Sequence, residues 1–172
     1  MTVFVGFLRA VNVGGTGKLL MSDLRQLSET LGFCRVRTHI QSGNVVFESD
    51  DSEHEVRRAL SDALTEHMGK RTDVVVRSGV DLQRALHANP FPDAEPAKVA
   101  LALSNEFVPT TLLDEVSVSG GEHVVLRKRE IYVYYPEGMG RSRLKLPEIA
   151  GPITVRNINT ITALVAMASE IS

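Results

Sequence analysis

Between Arg35 and Ser49 the side chains alternate in character on both sides of Ser42, Gly43 and Asn44, a period of two that only extended chain satisfies. The spacing predicts an antiparallel hairpin with a two-residue loop at either Ser42-Gly43 or Gly43-Asn44. In that register Val36, Thr38, Ile40, Val45 and Phe47 form a core face. Arg37, His39, Gln41, Asn44, Val46 and Glu48 form a second face, polar enough to meet solvent or to wall a site.

The flanking segments supply what such a hairpin packs against. Val3 to Leu8 reads as a strand, and Met21 to Gly32 as a helix capped by Ser22, striped by Leu24, Leu27 and Leu31, and stopped by Gly32. Ser52 with Glu55 forms a capping box ahead of Val56, Ala59, Leu60, Ala63 and Leu64, with Gly69 as the stop. A short strand at Val74 to Val76 follows, and Ser78 with Asp81 opens a third helix that Pro90 ends. Pro90, Pro92 and Pro96 mark residues 90–96 as the connection between an N-terminal half, 1–89, and a C-terminal half, 97–172.

The same order returns after the prolines. Val99 to Leu103 reads as a strand, Thr110 to Val116 as a short helix, and Glu122 to Tyr135 as a hairpin turning near Lys128 and Arg129. Ser142 to Ile149 reads as a helix interrupted by Pro147, Ile153 to Val155 as a strand, and Ile158 to Ile171 as a final helix. The order repeats without a residue-level repeat. The predicted fold is α+β: two ferredoxin-like (βαββαβ) halves with mainly antiparallel sheets and an added C-terminal helix.

Composition narrows the function classes. At 172 residues with 43% apolar and 23% charged residues, the chain has the make-up of an ordinary soluble globule. No run approaches the ~20 apolar residues of a membrane span, and Arg9 interrupts an N-terminus that lacks a basic leader, so a cytoplasmic protein is expected. The single cysteine, Cys34, excludes an internal disulfide and is expected to be a small buried hydrophobe. The five histidines share no ligand spacing, so neither a metal nor a cofactor is expected, and His54 and His67 are assigned to solvated helix faces. Residues 1–40, 41–126 and 127–172 carry net charges of +3, −8 and +3. Two glycine-bearing loops, at residues 12–18 and 136–143, lie in the positive thirds, which suits an anionic partner; the acidic middle also suits solvated helix faces.

Four stretches could carry chemistry. Arg9, Asn12, Gly14, Gly15 and Lys18 lie in a glycine-rich bend. A phosphate-binding P-loop would need glycine at position 12 and Ser or Thr at 19, where the chain has Asn12 and Leu19; G-x-G-x-x-G fails at Leu20. What remains is either an anion cradle of freed amides and two cations or a tight connection. Gln41, Ser42 and Asn44 offer amide and hydroxyl groups with no nucleophile-elbow pattern, and also fit a hairpin turn. Tyr135 precedes a loop with Arg141 and Ser142, and arginine is the fork-shaped donor for carboxylate or phosphate. Arg156, Asn157, Asn159 and Thr160 cluster where the last helix begins, and only one of the polar residues can cap it.

Leu8, Arg9, Asn12, Val13, Gly14, Gly15 and Met21, then Thr38, Ile40, Gln41, Ser42, Gly43, Asn44 and Val45, then Arg156, Asn157, Asn159 and Thr160, resemble the pattern of the bacterial family called domain of unknown function 1697. The resemblance spans nearly the whole chain and implies a small cytoplasmic α+β protein with two ferredoxin-like subdomains and no assigned activity. The chain departs from the family pattern at Ala10, where glycine is usual, at His39, where tyrosine is usual, and at Ile158, where tryptophan is common.

Three functions are compatible with these residues. The first is binding, with or without transformation, of a small anionic, phosphorylated or nucleotide-like ligand in a cleft between the halves. Arg9, Lys18, Arg141 and Arg156 would supply charge, and Asn12, Gln41, Asn44, Asn157 and Asn159 orientation. Amides and arginines polarise but carry protons poorly, so no reaction follows from them. The second is single-stranded nucleic-acid binding through a sheet, with Tyr132 and Tyr134 on one strand face. A composition of six Phe, three Tyr and no Trp, and a net charge of −2, disfavour it. The third is a scaffold with structural glycines.

Overall fold

A computed structural model of the chain describes residues 1–9, 19–39 and 43–172. Its first sheet comes from β1 (Thr2–Leu8), β2 (Cys34–His39), β3 (Asn44–Ser49) and β4 (Val74–Ser78), in the order β2-β3-β1-β4 with every pairing antiparallel. The helices α1 (Met21–Thr30) and α2 (Glu53–Met68) connect β1 to β2 and β3 to β4. They bury Leu24, Val56, Leu60 and Leu64 against Phe4, Leu8, Val45, Phe47, Val74 and Val76, with Phe33 stacked on Phe47 at a centroid distance of 4.2 Å. The second sheet, β5 (Val99–Ser104), β6 (His123–Leu126), β7 (Glu130–Tyr134) and β8 (Ile153–Asn157), is again antiparallel, in the order β6-β7-β5-β8. Its core is Ala100, Ala102, Leu112, Ile131, Val133, Tyr135 and Ile153. The helices α3 (Gly79–His87) and α4 (Ile158–Ile171) follow β4 and β8 directly. The fold is therefore α+β. The chain divides into two units, Met1–Gln83 with Leu164–Ser172, and Arg84–Ala163.

Most boundaries follow the sequence signals. The capping box forms in both directions: the Glu55 amide donates to Ser52 Oγ and the Ser52 amide to Glu55 Oε2; Gly69 ends α2 at φ 69°. Ser78 Oγ accepts from the Asp81 amide at 3.1 Å, as expected of an α3 cap. His54 and His67 are exposed, as expected.

Five expectations need correction. Ser22 does not cap α1: the cap residue is Leu20, whose carbonyl accepts from the Asp23 and Leu24 amides, with no side-chain cap. The two-residue hairpin loop does not fall at Ser42-Gly43 or Gly43-Asn44, because Thr38 pairs with Val45 and His39 with Asn44, a register that neither placement allows; residues 40–42 lie outside the described residues. The second hairpin face is neither solvent-facing nor open at β3, since Asn44 and Val46 are fully buried, as are Val5, Phe7, Val75 and Arg77. Residues 142–149 are not helical: Pro147 denies the helix a donor, while Leu144 and Leu146 pack on the second core. Cys34 is only half-buried.

A β-bulge between Cys34 and Arg37 accompanies a positive φ of 50° at Arg35, unusual for a residue with a Cβ. It aims Arg35 Nη1 at the Ile171 carbonyl, 2.7 Å away, while Arg37 pairs with Glu170. Two cations thus meet the negative end of α4 within the first unit.

The order of elements repeats, and at one junction so does the residue pattern. Val74-Val75-Val76-Arg77-Ser78 runs into α3 as Ile153-Thr154-Val155-Arg156-Asn157 runs into α4. Arg77 lies opposite Val5 and Arg156 opposite Leu101, and each Nη1 donates to the preceding carbonyl, at 3.1 and 3.0 Å. Each following polar side chain accepts from the amide three residues on.

Gly6 on β1 is set by close approach: a Cβ there would lie 3.0 Å from Val45 Cγ1 and 3.2 Å from Leu60 Cδ2, both in residues with no exposure. Overpacking of this kind costs about 1–3 kcal/mol, so Gly6→Ala should lower stability by that amount in urea unfolding; an unchanged midpoint would mean the core yields there.

Candidate functional site

At the end of β1 the Leu8 amide donates to the Gly43 carbonyl at 2.8 Å and the Arg9 amide to the Asp73 carbonyl at 3.1 Å. The strand end is therefore held between the hairpin turn and the entry to β4. Residues 10–18 continue from Arg9, and residues 40–42 precede Gly43, so both glycine-bearing segments are attached at one end of the first sheet. Asn12, Gly14, Gly15, Lys18, Gln41 and Ser42 lie outside the described residues. Arg9 is half-buried. Asn44 is fully buried, and its Nδ2 donates to the His39 carbonyl at 3.0 Å, so its amide holds the turn.

In the second unit, Asn157 is the residue that caps α4, its Oδ1 accepting from the Thr160 amide at 2.9 Å. That leaves Asn159 exposed and Thr160 half-buried on the first turn. Burial pushes the Arg156 guanidinium down to about 10, because a charged group loses hydration there. Arg141 ends a 3₁₀ turn, Met139–Arg141, and is exposed. Tyr135 is a core residue whose phenol is raised by burial and then by the charge of Glu122.

Ser142 leads to a residue the sequence reading missed. Its Oγ donates to Glu122 Oε1 at 2.6 Å, while the Gly120 amide donates to Oε2 at 2.8 Å. These bonds, Ser142 foremost, with further help from the Glu122 and Ser119 backbone, hold the Glu122 carboxyl below its usual range. A Cβ on Gly120 would lie 3.0 Å from Oε1, and Gly121 has φ 78°, so Gly120-Gly121 ahead of an acid is the signal that could have revealed this self-filled anion nest. Arg77, 1% exposed and matched to Arg156, was also missed, because a lone arginine in a strand reads as surface.

Because the folded pKa of Glu122 is depressed, the stability it contributes is complete above the ordinary carboxylate value of 4.5 and fades as pH falls through the lowered value. Thermal melts between pH 7 and pH 3 should therefore place Glu122→Gln well below wild type at neutral pH, with the gap closing in acid; parallel curves would contradict the nest.

No group of His, Cys, Asp and Glu that could hold a metal occurs among the described residues, and none of their helices is long and apolar enough to cross a membrane. Two surface cavities in the first unit, of about 380 and 620 Å³, are lined by none of the site residues named from the sequence.

Comparison with known proteins agrees with the fold. A solved structure described as that of the conserved bacterial protein SP0830 from Streptococcus pneumoniae superposes with a TM-score of 0.80 at 22% identity, covering 97% of this chain and 98% of that one. No curated protein matches the sequence. The profile of a family described as protein of unknown function (DUF1697) matches residues 1–132, so the Arg156 to Thr160 part of the resemblance lies beyond the matched region. Matched over more than half its length, the chain belongs to the DUF1697 family.

Proposed function

We propose that the protein binds a small anionic, phosphorylated or nucleotide-like ligand in the cytoplasm, with Arg9, Lys18, Arg141 and Arg156 supplying positive charge and neighbouring amides orienting it. The observation that carries this reading is the Leu8–Gly43 hydrogen bond, which attaches both glycine-bearing segments beside Arg9. A second support is Arg156, a guanidinium kept partly buried beside the start of α4, where helix amides favour negative charge. Asn44, Tyr135, Ser142 and Asn157 have structural duties, so their part is to hold the loops that carry the binding groups. We further infer that each sheet with its crossovers is a ferredoxin-like half, a reading supported by the shared strand order.

The nucleic-acid reading loses its aromatic platform. Tyr132 is 1% exposed, its hydroxyl donates to the Ala85 carbonyl, and burial pushes it up to about 12. The Tyr134 ring sits against Phe91 and His123, with centroids 5.8 and 6.1 Å away.

Thermal shift against a panel of nucleotides and sugar phosphates tests the proposal. A ligand at a hundred times its Kd should stabilise wild type by about 2.7 kcal/mol, and Arg9→Ala or Arg156→Ala should remove most of that gain. If no compound stabilises wild type more than the doubly substituted protein, the chain is not an anion receptor of this design.

A further inference from the structure

Thr154 on β8 is 2% exposed, and its Oγ1 has no hydrogen-bond partner among the described residues. A hydroxyl stripped of water without compensation opposes folding, so its retention calls for a reason. Its cross-strand neighbour is Leu103, fully buried, and the matched position in the first unit is Val75, also fully buried. Valine has the same shape without the oxygen, so this place in the sheet asks only for a β-branched side chain.

Thr154 and Arg156 stand two residues apart on one strand, so their side chains leave the same face at a spacing of about 6.6 Å along the chain. One brings a buried hydroxyl, the other a partly buried guanidinium. We propose that Thr154 is a ligand-binding residue whose hydroxyl donates to an oxygen of a phosphate-class anion that Arg156 also holds. The assignment rests on the reading of Arg156 as part of an anion site and adds to it a group that the sequence did not single out. No bond is made or broken; the hydroxyl exchanges an unfilled hydrogen bond for one to the anion, so the cost carried by the empty protein is recovered on binding.

The test is a pair of measurements on the full chain, urea unfolding without ligand and calorimetric titration with inorganic phosphate, pyrophosphate and ATP as probes. Thr154→Val should fold with stability equal to or above wild type, because an unfilled buried hydroxyl is gone, yet bind the best of these probes at least tenfold more weakly; Thr154→Ser, which keeps the hydroxyl, should bind within a few-fold of wild type. If Thr154→Val binds as wild type does while Arg156→Ala loses binding, Thr154 is not in the site and this inference alone is overturned. If neither substitution changes affinity, or no probe binds wild type, the anion-site reading of Arg156 falls with it. A Thr154→Val protein that is less stable but binds normally would assign the hydroxyl to the fold and overturn the inference.

Discussion

β1 is hydrogen-bonded along both edges, to β3 from Thr2 to Phe7 and to β4 from Phe4 to Leu8, and the bonds continue one step past the strand to Gly43 and Asp73. The consequences run outward from that pairing. It fixes the register that buries Phe4 and Leu8 under the helices and Val5 and Phe7 on the other side. It also fixes where the chain leaves the sheet, and therefore where Arg9 and the glycine-bearing segments begin. A one-residue slip would exchange the two faces, so the position of the candidate binding groups is tied to burial of the core.

The polar residues divide by what the chain already asks of them. Asn44 closes a turn, Asn157 caps a helix, and Ser142 with the Gly120 amide satisfies Glu122. These bonds are internal, and each secures a loop or helix start next to an arginine or a glycine-rich segment. The nest around Glu122 shows that a loop of this chain can hold a carboxylate with backbone amides and one hydroxyl. The same chemistry is proposed for ligand oxygens at Arg9 and at Arg156.

Local signals in the sequence were legible where the chain's chemistry has one solution. Ser52 with Glu55, Gly69 after a leucine stripe, and Ser78 before Asp81 each specify a cap or stop, and each forms. The extent of α4 was legible as well, because the apolar spacing runs unbroken from Ile158 to Ile171. Ser22 misled because Leu20 supplies a backbone carbonyl to the first amides and the serine falls inside the helix. The placement of the hairpin loop misled because alternation fixes which residues share a face and not which pair across the strands, so a register shifted by two residues, with His39 opposite Asn44, keeps both faces. The burial of Arg77 and Thr154 was illegible for a different reason: residues 74–78 and 153–157 look alike only after the sheets align them, and burial of a polar group is a tertiary property.

In the proposed reading Arg9, at the end of the doubly paired strand, directs its guanidinium to a bound anion. Arginine side-chain NMR on uniformly ¹⁵N-labelled protein, titrated with pyrophosphate and with ATP at constant ionic strength, addresses it most directly. If Arg9 holds the anion, the Arg9 Nε signal and the Gly43 amide signal move together along one saturating curve, and a matching titration with sodium chloride leaves both in place. Signals that stay fixed through saturation, or that move equally with chloride, would contradict it.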